Sequence, residues 1–416
     1  MLAHILVKKS STRSMKAFRL FTKQGQTAAL VAFGIAVFAF WCWGFPHLLM
    51  AREQSQLFLC DGAYFLGRLA EAGGLARYVA EGVVQFFFHP AIGALLYALI
   101  LVAMQWLFLR VLRRCLPAWT ERHPAAAFLL AFLPPLGCWA LGVHPMASFT
   151  FTIAVLLVLL VMALLPKARK SRMAVALLLT PVVYWLTGPA AVLLALPCLW
   201  MGAPAVVLLL AACVYGSSWL SPYPLRRLAG GIDYYRTVRQ TGSLEDMRYD
   251  RMIRLRQWSA IIRESNRKMP QSEAARNVVR VAQFFKGQIS EQELHQCLLH
   301  SERVINSQAA AFMMSEVYMQ LGMPQMAQRA AFDAMESIPN YNKSARTLYC
   351  LVETNLVTGH PEVAGKYLSL LEKTTFYRAW ARKMRQYVRQ PELLRSHPYY
   401  GRMMTVYEQT DDTFFL

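Results

Sequence analysis

The side chains best suited by type to chemistry are two acids, Glu53 and Asp61, and two histidines, His89 and His144. Glu53 and Asp61 share one polar stretch between apolar runs, where they can serve a lipid-linked substrate. Each histidine precedes a proline at the border of an apolar run. There the two can act as ligands or acid/base groups facing one cavity. Each candidate also has a plainer role. The acids suit the solvated face of an amphipathic helix, and the histidines suit an interface satisfied by water or head groups. No Walker motif, GxGxxG, GxSxG, HExxH or DxD occurs. The sequence therefore assigns no catalytic residue outside the alternative pair Glu53 and Asp61, no metal ligand and no cofactor. Eight cysteines occur without a CxxC spacing, so zinc and thioredoxin-like chemistry have no support. Six of them lie in or beside apolar runs, and Cys297 and Cys350 read as small buried hydrophobes.

The elements that must position these groups follow from an uneven composition. Of 416 residues 56% are hydrophobic and only 16% charged, far from an ordinary soluble chain. Residues 1–221 carry 17 Lys/Arg and 5 Asp/Glu, nearly all between long apolar runs. The remainder, 222–416, carries 27 and 19, a soluble balance. The predicted organisation is an all-α chain: a polytopic helical membrane domain at 27–221, then a soluble helical-repeat domain at 222–416. The net charge of +20 is placed by membrane orientation in the first half and by solvated helix faces in the second, so nucleic acid is not an expected partner.

Residues 1–26 hold six cations and no acid, which predicts a cytoplasmic N-terminus before a first span at Thr27–Leu49. Segment 52–90 mixes charges of both signs and reads as two amphipathic pieces hinged at Gly73-Gly74, on the outer side. Its second piece is expected to bury Leu75, Val79, Val83 and Phe86–Phe88. Further spans are predicted at Ala91–Leu109, Pro124–Val143 (kinked at Pro134-Pro135) and Ser148–Leu165. Basic connections at Arg110–Arg122 and Lys167–Arg172 mark the inside. Met173–Leu225 then runs 53 residues without a charge, about 80 Å of helix against roughly 30 Å per crossing. Length favours two crossings there and the breaks at Gly188-Pro189 and Gly202-Ala-Pro204 favour three, giving six or seven spans in all, with the reading leaning to seven. The spans hold no Asp, Glu, Lys or Arg, which disfavours ion-coupled transport.

The soluble half is organised around a pattern that occurs twice, Gly322-Met-Pro-Gln-Met-Ala327 and Gly359-His-Pro-Glu-Val-Ala364, 37 positions apart. That period belongs to stacked helical pairs, and the first copy fits the tetratricopeptide register through Ala327, Ala331 and Ala334, with Pro339 closing it. The pairs are predicted at Ala309–Leu321 with Gln325–Ser337 and at Ser344–Thr358 with Glu362–Lys373. Each glycine ends a helix, each proline opens the next, and each alanine lets the two approach. Upstream, Glu245–Arg263 reads as one helix, Ser272–Phe285 as another, and Ser290 with Glu293 forms a capping box. Helix Phe376–Tyr387 follows, and the apolar end at Asp411–Leu416 suggests a repeat array that continues.

Three groups of residues together resemble an uncharacterised family of multi-span membrane proteins of the Bacteroides group, domain of unknown function 6057. They are Glu53-Gln-x-Gln-Leu-Phe with Gly73-Gly-Leu-Ala-Arg-Tyr78 and Gln85-Phe-Phe-Phe-His-Pro90, then Tyr184-Trp-Leu-Thr-Gly188, then Ser344-Ala-Arg-Thr-Leu with Tyr367 to Trp380. The resemblance implies a multi-span protein with a helical-repeat tail longer than this chain, and it transfers no catalytic residue. The membrane half is loosely similar to large polyprenyl-sugar glycosyltransferases, whose long first outer loop carries essential acids. Here Glu53, Asp61, Glu71 and Glu81 are available. The expected function is a scaffold or interaction module of the bacterial envelope, held in the inner membrane, with a protein partner on the repeats. A lipid-linked glycosyltransferase is the alternative. The repeat domain is expected outside the cytoplasm, although Arg226, Arg227, Arg236 and Arg239 argue for the inside.

Overall fold

The computed structural model describes residues 23–200, 205–235, 241–298, 304–338 and 343–409. The basic N-terminal run through Arg19, the Gly202-Ala-Pro204 break, Pro339 and the end at Asp411–Leu416 lie outside the described residues. Among those described, every regular element is helical, and extended pairing is limited to an isolated antiparallel bridge between Ala147 and Tyr235. The chain divides into two compact units that do not follow chain order. One comprises Met1–Phe45, Phe65–Val83 and Pro90–Tyr235; the other comprises Pro46–Tyr64, Val84–His89 and Arg236–Leu416. The boundary expected at 221/222 therefore moves to 235/236. Two pieces of the expected outer loop 52–90 belong with the tail.

In the first unit, four helical stretches have the length and apolarity to cross a membrane: Gln24–Gly44, Pro90–Cys115, Pro124–Gly142 and Arg169–Ala195. Phe149–Leu164 and Ala205–Leu220 are shorter apolar helices. The first span ends earlier than Leu49. Its last turn widens to a π-helix at Phe40–Gly44, Phe45 leaves helical geometry, and Pro46 opens a new helix. His47–Leu49, expected as the end of the span, is buried in the second unit instead. The kink in Pro124–Gly142 falls at Ala131–Phe132, just ahead of the proline pair, because proline leaves no N–H for the preceding turn. Gly188, with φ +72°, interrupts Arg169–Ala195 as expected. The helix beyond it, Val192–Trp200, has nine residues, about 14 Å against roughly 30 Å for a crossing. The seventh span therefore has no helix of crossing length among the described residues.

The hinge at Gly73-Gly74 is present, between helices Gly62–Leu69 and Gly74–Val84. Its second helix presents a different face from the one expected. Leu75, Val79 and Val83 are half-buried, whereas Ala76, Arg77, Ala80, Glu81 and Val84 are buried. The reason is charge pairing. Arg77 meets Glu81 at 3.1 Å and Glu71 at 2.8 Å, and it also pairs with Asp233. Charges that neutralise one another can occupy an interior face that hydropathy alone assigns to leucine and valine.

The second unit carries the two helical pairs, at Gln308–Gln320 with Pro324–Glu336 and Ala345–Val357 with Pro361–Leu371. Ala327 and Ala364 are fully buried. Gly322 and Gly359 adopt φ of +73° and +82°. In both copies the next N–H reaches back five residues, Met323 to the Tyr318 carbonyl at 2.9 Å and His360 to Asn355 at 2.7 Å. This is the Schellman closure, which needs a left-handed residue at the turn. Ser307 and Ser344 cap the first helix of each pair. The Ser290–Glu293 capping box forms. Glu245–Arg263 is not one helix but two, Leu244–Arg254 and Trp258–Arg267, because Arg256 takes φ +51° and closes a Schellman turn without glycine. Cys350 is buried as expected, while Cys297 is exposed. The apolar core runs from Ala327 and Leu348 through Leu368 to Ala381 and Tyr400, and it takes in Leu57 from the segment that precedes the second span.

Candidate functional site

Sequence analysis places Glu53 on a solvated face, yet Glu53 is only 5% exposed. It sits at the end of helix Pro46–Gln54. Arg254 Nη1 lies 3.4 Å from one carboxylate oxygen, and the Tyr377 hydroxyl donates to the other at 3.3 Å. Burial raises the carboxyl above its ordinary range, with Arg254 and Tyr377 pulling against that rise. The neighbouring Gln54 enters a second knot. Arg346 Nη1 donates to the Gln54 amide oxygen at 2.6 Å and to both Asp250 oxygens at 2.8 Å, while Gln54 Nε2 donates to Asp250 at 3.0 Å. Arg346 Nη2 reaches the Phe312 carbonyl and Glu316, both at 3.3 Å, and its guanidinium stacks 4.9 Å above the Phe312 ring. Both knots lie within the second unit, on helices Pro46–Gln54, Leu244–Arg254, Gln308–Gln320 and Ala345–Val357, with Tyr377 just ahead of helix Arg378–Arg389.

A third buried acid stands on the same helix as Arg346, two turns on. Glu353 Oε1 accepts a 2.6 Å hydrogen bond from the Tyr400 hydroxyl. Burial pushes its carboxyl up to about 7, and the charge of Glu316 adds to the rise against the Tyr400 hydrogen bond.

These clusters are built for cohesion. Glu53, Asp250, Arg346 and Glu353 are each between 3% and 7% exposed, so solvent-borne substrate does not reach them. Asp61 is the accessible acid. It is half-buried, accepts from Lys373 Nζ at 2.7 Å and from the Ala63 amide at 3.2 Å, and these donors hold its carboxyl below the ordinary range. A carboxylate held ionised in this way is a poor proton donor near neutrality. Glu53 and Asp61 share the second unit but act in separate contacts.

The two histidines fall in different units. His89 is exposed in the second, its ring 5.3 Å from Phe376. His144 is exposed in the first, with its Nδ1 3.1 Å from the Tyr235 hydroxyl. Among the described residues, no group of three or more His, Cys, Asp or Glu could hold a metal ion.

The first unit contains an apolar cavity of about 570 Å³ walled by Val111, Leu112, Cys138, Val155 and Leu159. At one end of this unit four separate chain segments are tied together. Gly73 N donates to the Trp185 carbonyl at 2.8 Å, and Trp185 Nε1 donates to the Leu69 carbonyl at 2.9 Å. The Tyr234 hydroxyl donates to the Thr187 carbonyl and accepts from Ala190 N. Ser148 N donates to the Tyr234 carbonyl at 3.1 Å. At another point the basic connections meet: Arg114 donates to the Leu165 carbonyl at 2.7 Å and Arg172 to the Arg114 carbonyl at 2.8 Å.

Sequence reasoning did not single out Asp250, Arg254, Arg346, Glu353, Tyr377 or Tyr400. A signal was present for two of them. Arg346 and Glu353 are the only charges on helix Ala345–Val357 and stand seven positions apart, on one face of a helix whose other residues are mostly apolar.

No curated protein and no solved structure matches the chain. The profile of one family matches in two overlapping segments, residues 22–245 and 205–416, and so embraces both units. The chain therefore belongs to the family of unknown function DUF6057.

Proposed function

We propose that this protein is a membrane-anchored scaffold of the bacterial envelope, with its tetratricopeptide-like helical pairs holding a protein partner on the outer side of the inner membrane. The observation that carries the scaffold reading is the burial of Glu53. The acid on which a catalytic outer loop would depend is paired with Arg254 and Tyr377 inside the second unit. The paired helices, closed by matching turns and stacked on a continuous core, are the architecture that repeat proteins use to present binding surfaces. The test rests on Asp61, because Glu53→Gln would disturb a buried cluster. In a scaffold, Asp61→Asn removes one half-exposed ion pair, worth about 0–1 kcal/mol. The variant is expected to complement a deletion strain fully. Loss of complementation at normal protein level would favour the enzyme.

The apolar cavity of about 570 Å³ is the observation that favours the second reading, a lipid-linked glycosyltransferase, since it has the size and lining of a site for a long hydrocarbon chain. The fixed pairing of the acids weighs against it.

The outward orientation has its own support. Leu69–Arg77, Ala147–Ser148, Thr187–Ala190 and Asp233–Tyr235 converge at one end of the first unit, and Arg114 with Arg172 at another point joins the basic connections. The basic connections face the cytoplasm by the positive-inside rule. The chain then leaves the first unit, at Tyr235, on the outer side. Tyr184, one turn before Thr187, lies 2.9 Å from Ser217, so the helices Val192–Trp200 and Ala205–Leu220 begin and end at the same side. This reading counts five crossings in place of the six or seven expected. It also overrides the vote of Arg226 and Arg227. A second support is independent: Pro46–Tyr64 follows the first span and shares one compact unit with Arg236–Leu416, and a compact body lies on one side of a bilayer. Cys60 and Cys297 are exposed in that unit. A membrane-impermeant maleimide applied to spheroplasts is expected to label them, and labelling only after permeabilisation would reverse the orientation.

A further inference from the structure

The helix Arg378–Arg389 carries five cations and no acid in twelve residues. Its buried stripe, Ala381, Met384 and Tyr387, faces the core. The opposite flank lines an open groove of about 840 Å³ with Glu372 at one side. Three guanidinium groups border this groove, from Arg382, Arg385 and Arg389, against the single carboxylate of Glu372. Arg385 is engaged through each of its three nitrogens. Its Nε and Nη2 each meet a Glu372 oxygen at 2.9 Å, and its remaining donors reach the Gly365 carbonyl at 3.2 Å and Ser369 Oγ at 3.1 Å. That fork fixes one Arg–Glu pair in the groove wall and leaves Arg382 and Arg389 exposed, with no ion pair among the described residues. The three arginines together hold the Glu372 carboxyl below its ordinary range, the Arg385 hydrogen bonds first, so the charge in the groove is positive after Glu372 is counted.

We infer that this groove binds an acidic protein segment in polyproline II conformation, with carboxylates at positions i and i+3 meeting Arg382 and Arg389. The spacing sets the register. Seven residues of helix set the two arginines about 10.5 Å apart along the axis, and three residues of polyproline II rise about 9.3 Å and return to the same face. Gln386 and Gln390 lie between and beside the arginines, exposed on the same flank. Each side-chain amide offers a donor and an acceptor, the pair of groups that a peptide backbone needs. A plane of lipid head groups offers neither this spacing nor main-chain partners. The inference rests on the scaffold reading and gives it a partner chemistry.

The test uses the full chain in nanodiscs of phosphatidylcholine and a fluorescein-labelled twelve-residue peptide with glutamates at i and i+3, followed by fluorescence anisotropy. The double variant Arg382→Gln/Arg389→Gln is expected to weaken binding about tenfold. The control Lys286→Gln/Arg402→Gln, which removes the same charge from exposed positions elsewhere, is expected to change it less than about twofold. A peptide with adjacent glutamates should bind more weakly than the spaced one. Equal losses in both double variants, or equal binding of the two peptides, would overturn the proposal in favour of generic charge attraction. Binding to phosphatidylglycerol vesicles without binding to the peptide would replace it with a lipid surface. Retention of a native crosslinked partner by Arg382→Gln/Arg389→Gln would overturn this groove alone. Failure of Asp61→Asn to complement would strike the scaffold reading itself.

Discussion

Arg346→Met is expected to destabilise the second unit by about 3–5 kcal/mol, the range for breaking a buried ion pair by removing one partner. The substitution keeps the length and apolar stem of the side chain but deletes the charge. Asp250, 3% exposed, would then keep one donor in the cluster, Gln54 Nε2 at 3.0 Å. The Gln54 and Phe312 carbonyls would each lose a donor as well. The second substitution Asp250→Asn removes the stranded charge. The double variant is therefore expected to recover part of the loss, with a coupling of about 1–3 kcal/mol. Unfolding of the full-length protein, read locally by hydrogen exchange in Leu244–Arg254 and Ala345–Val357, measures both quantities. An unchanged exchange rate in Arg346→Met would remove this cluster from the interactions that hold the unit together.

Glu353 predicts a pH dependence of the opposite sense to ordinary acid denaturation. Its carboxyl lies at about 7 in the folded chain against an ordinary 4.5, so the folded state binds the proton more tightly than the unfolded state. The contribution is fully present below about pH 4.5 and is lost as pH rises through 7. At 1.36 kcal/mol per unit this amounts to about 3 kcal/mol. His47 works the other way. Burial, with Arg248 and Arg251 nearby, holds its imidazole down to about 4, so its contribution is gained as pH rises from 4 to about 6.5. Comparison with Glu353→Gln at each pH cancels His47, since both proteins contain it. The variant keeps an acceptor for Tyr400. It is expected to match the parent at about pH 4 and to exceed it at pH 8 by up to about 3 kcal/mol. A difference that does not change with pH would remove Glu353 as the titrating group.

Much of this architecture is legible in the sequence because local rules act where the chain is regular. Gly322 and Gly359, Pro324 and Pro361, and Ala327 and Ala364 each satisfy a requirement set by their nearest neighbours. A pattern of six residues is enough to find the helical pairs. The charged interior is not legible in that way. Glu53, Asp250 and Arg346 are buried because their partners come from elsewhere in the chain; Asp250 and Arg346 stand 96 positions apart and Glu53 and Tyr377 stand 324 apart. A hydropathy window sees only one member of each pair and assigns it to solvent. The same blindness places His47–Leu49 in the first span, because an apolar run that crosses a bilayer and one that fills a soluble core look alike over so few residues.

The placement of Pro46–Gln54 in the second unit also has a consequence for the order of events during synthesis. Gln54 bonds to Asp250 across 196 positions, and at about 5–20 residues per second the ribosome needs roughly 10–40 s to supply that partner. Throughout that interval an apolar helix carrying Arg52 and Glu53 has been made and has nothing to fold against, while the spans between are still being inserted. The unit cannot assemble domain by domain from its N-terminal side. Its completion waits on the tail and closes a loop that contains most of the membrane-inserted chain. A nascent chain stalled before residue 250 would therefore expose Pro46–Gln54 to proteases and chaperones, which makes this helix a built-in marker of unfinished molecules.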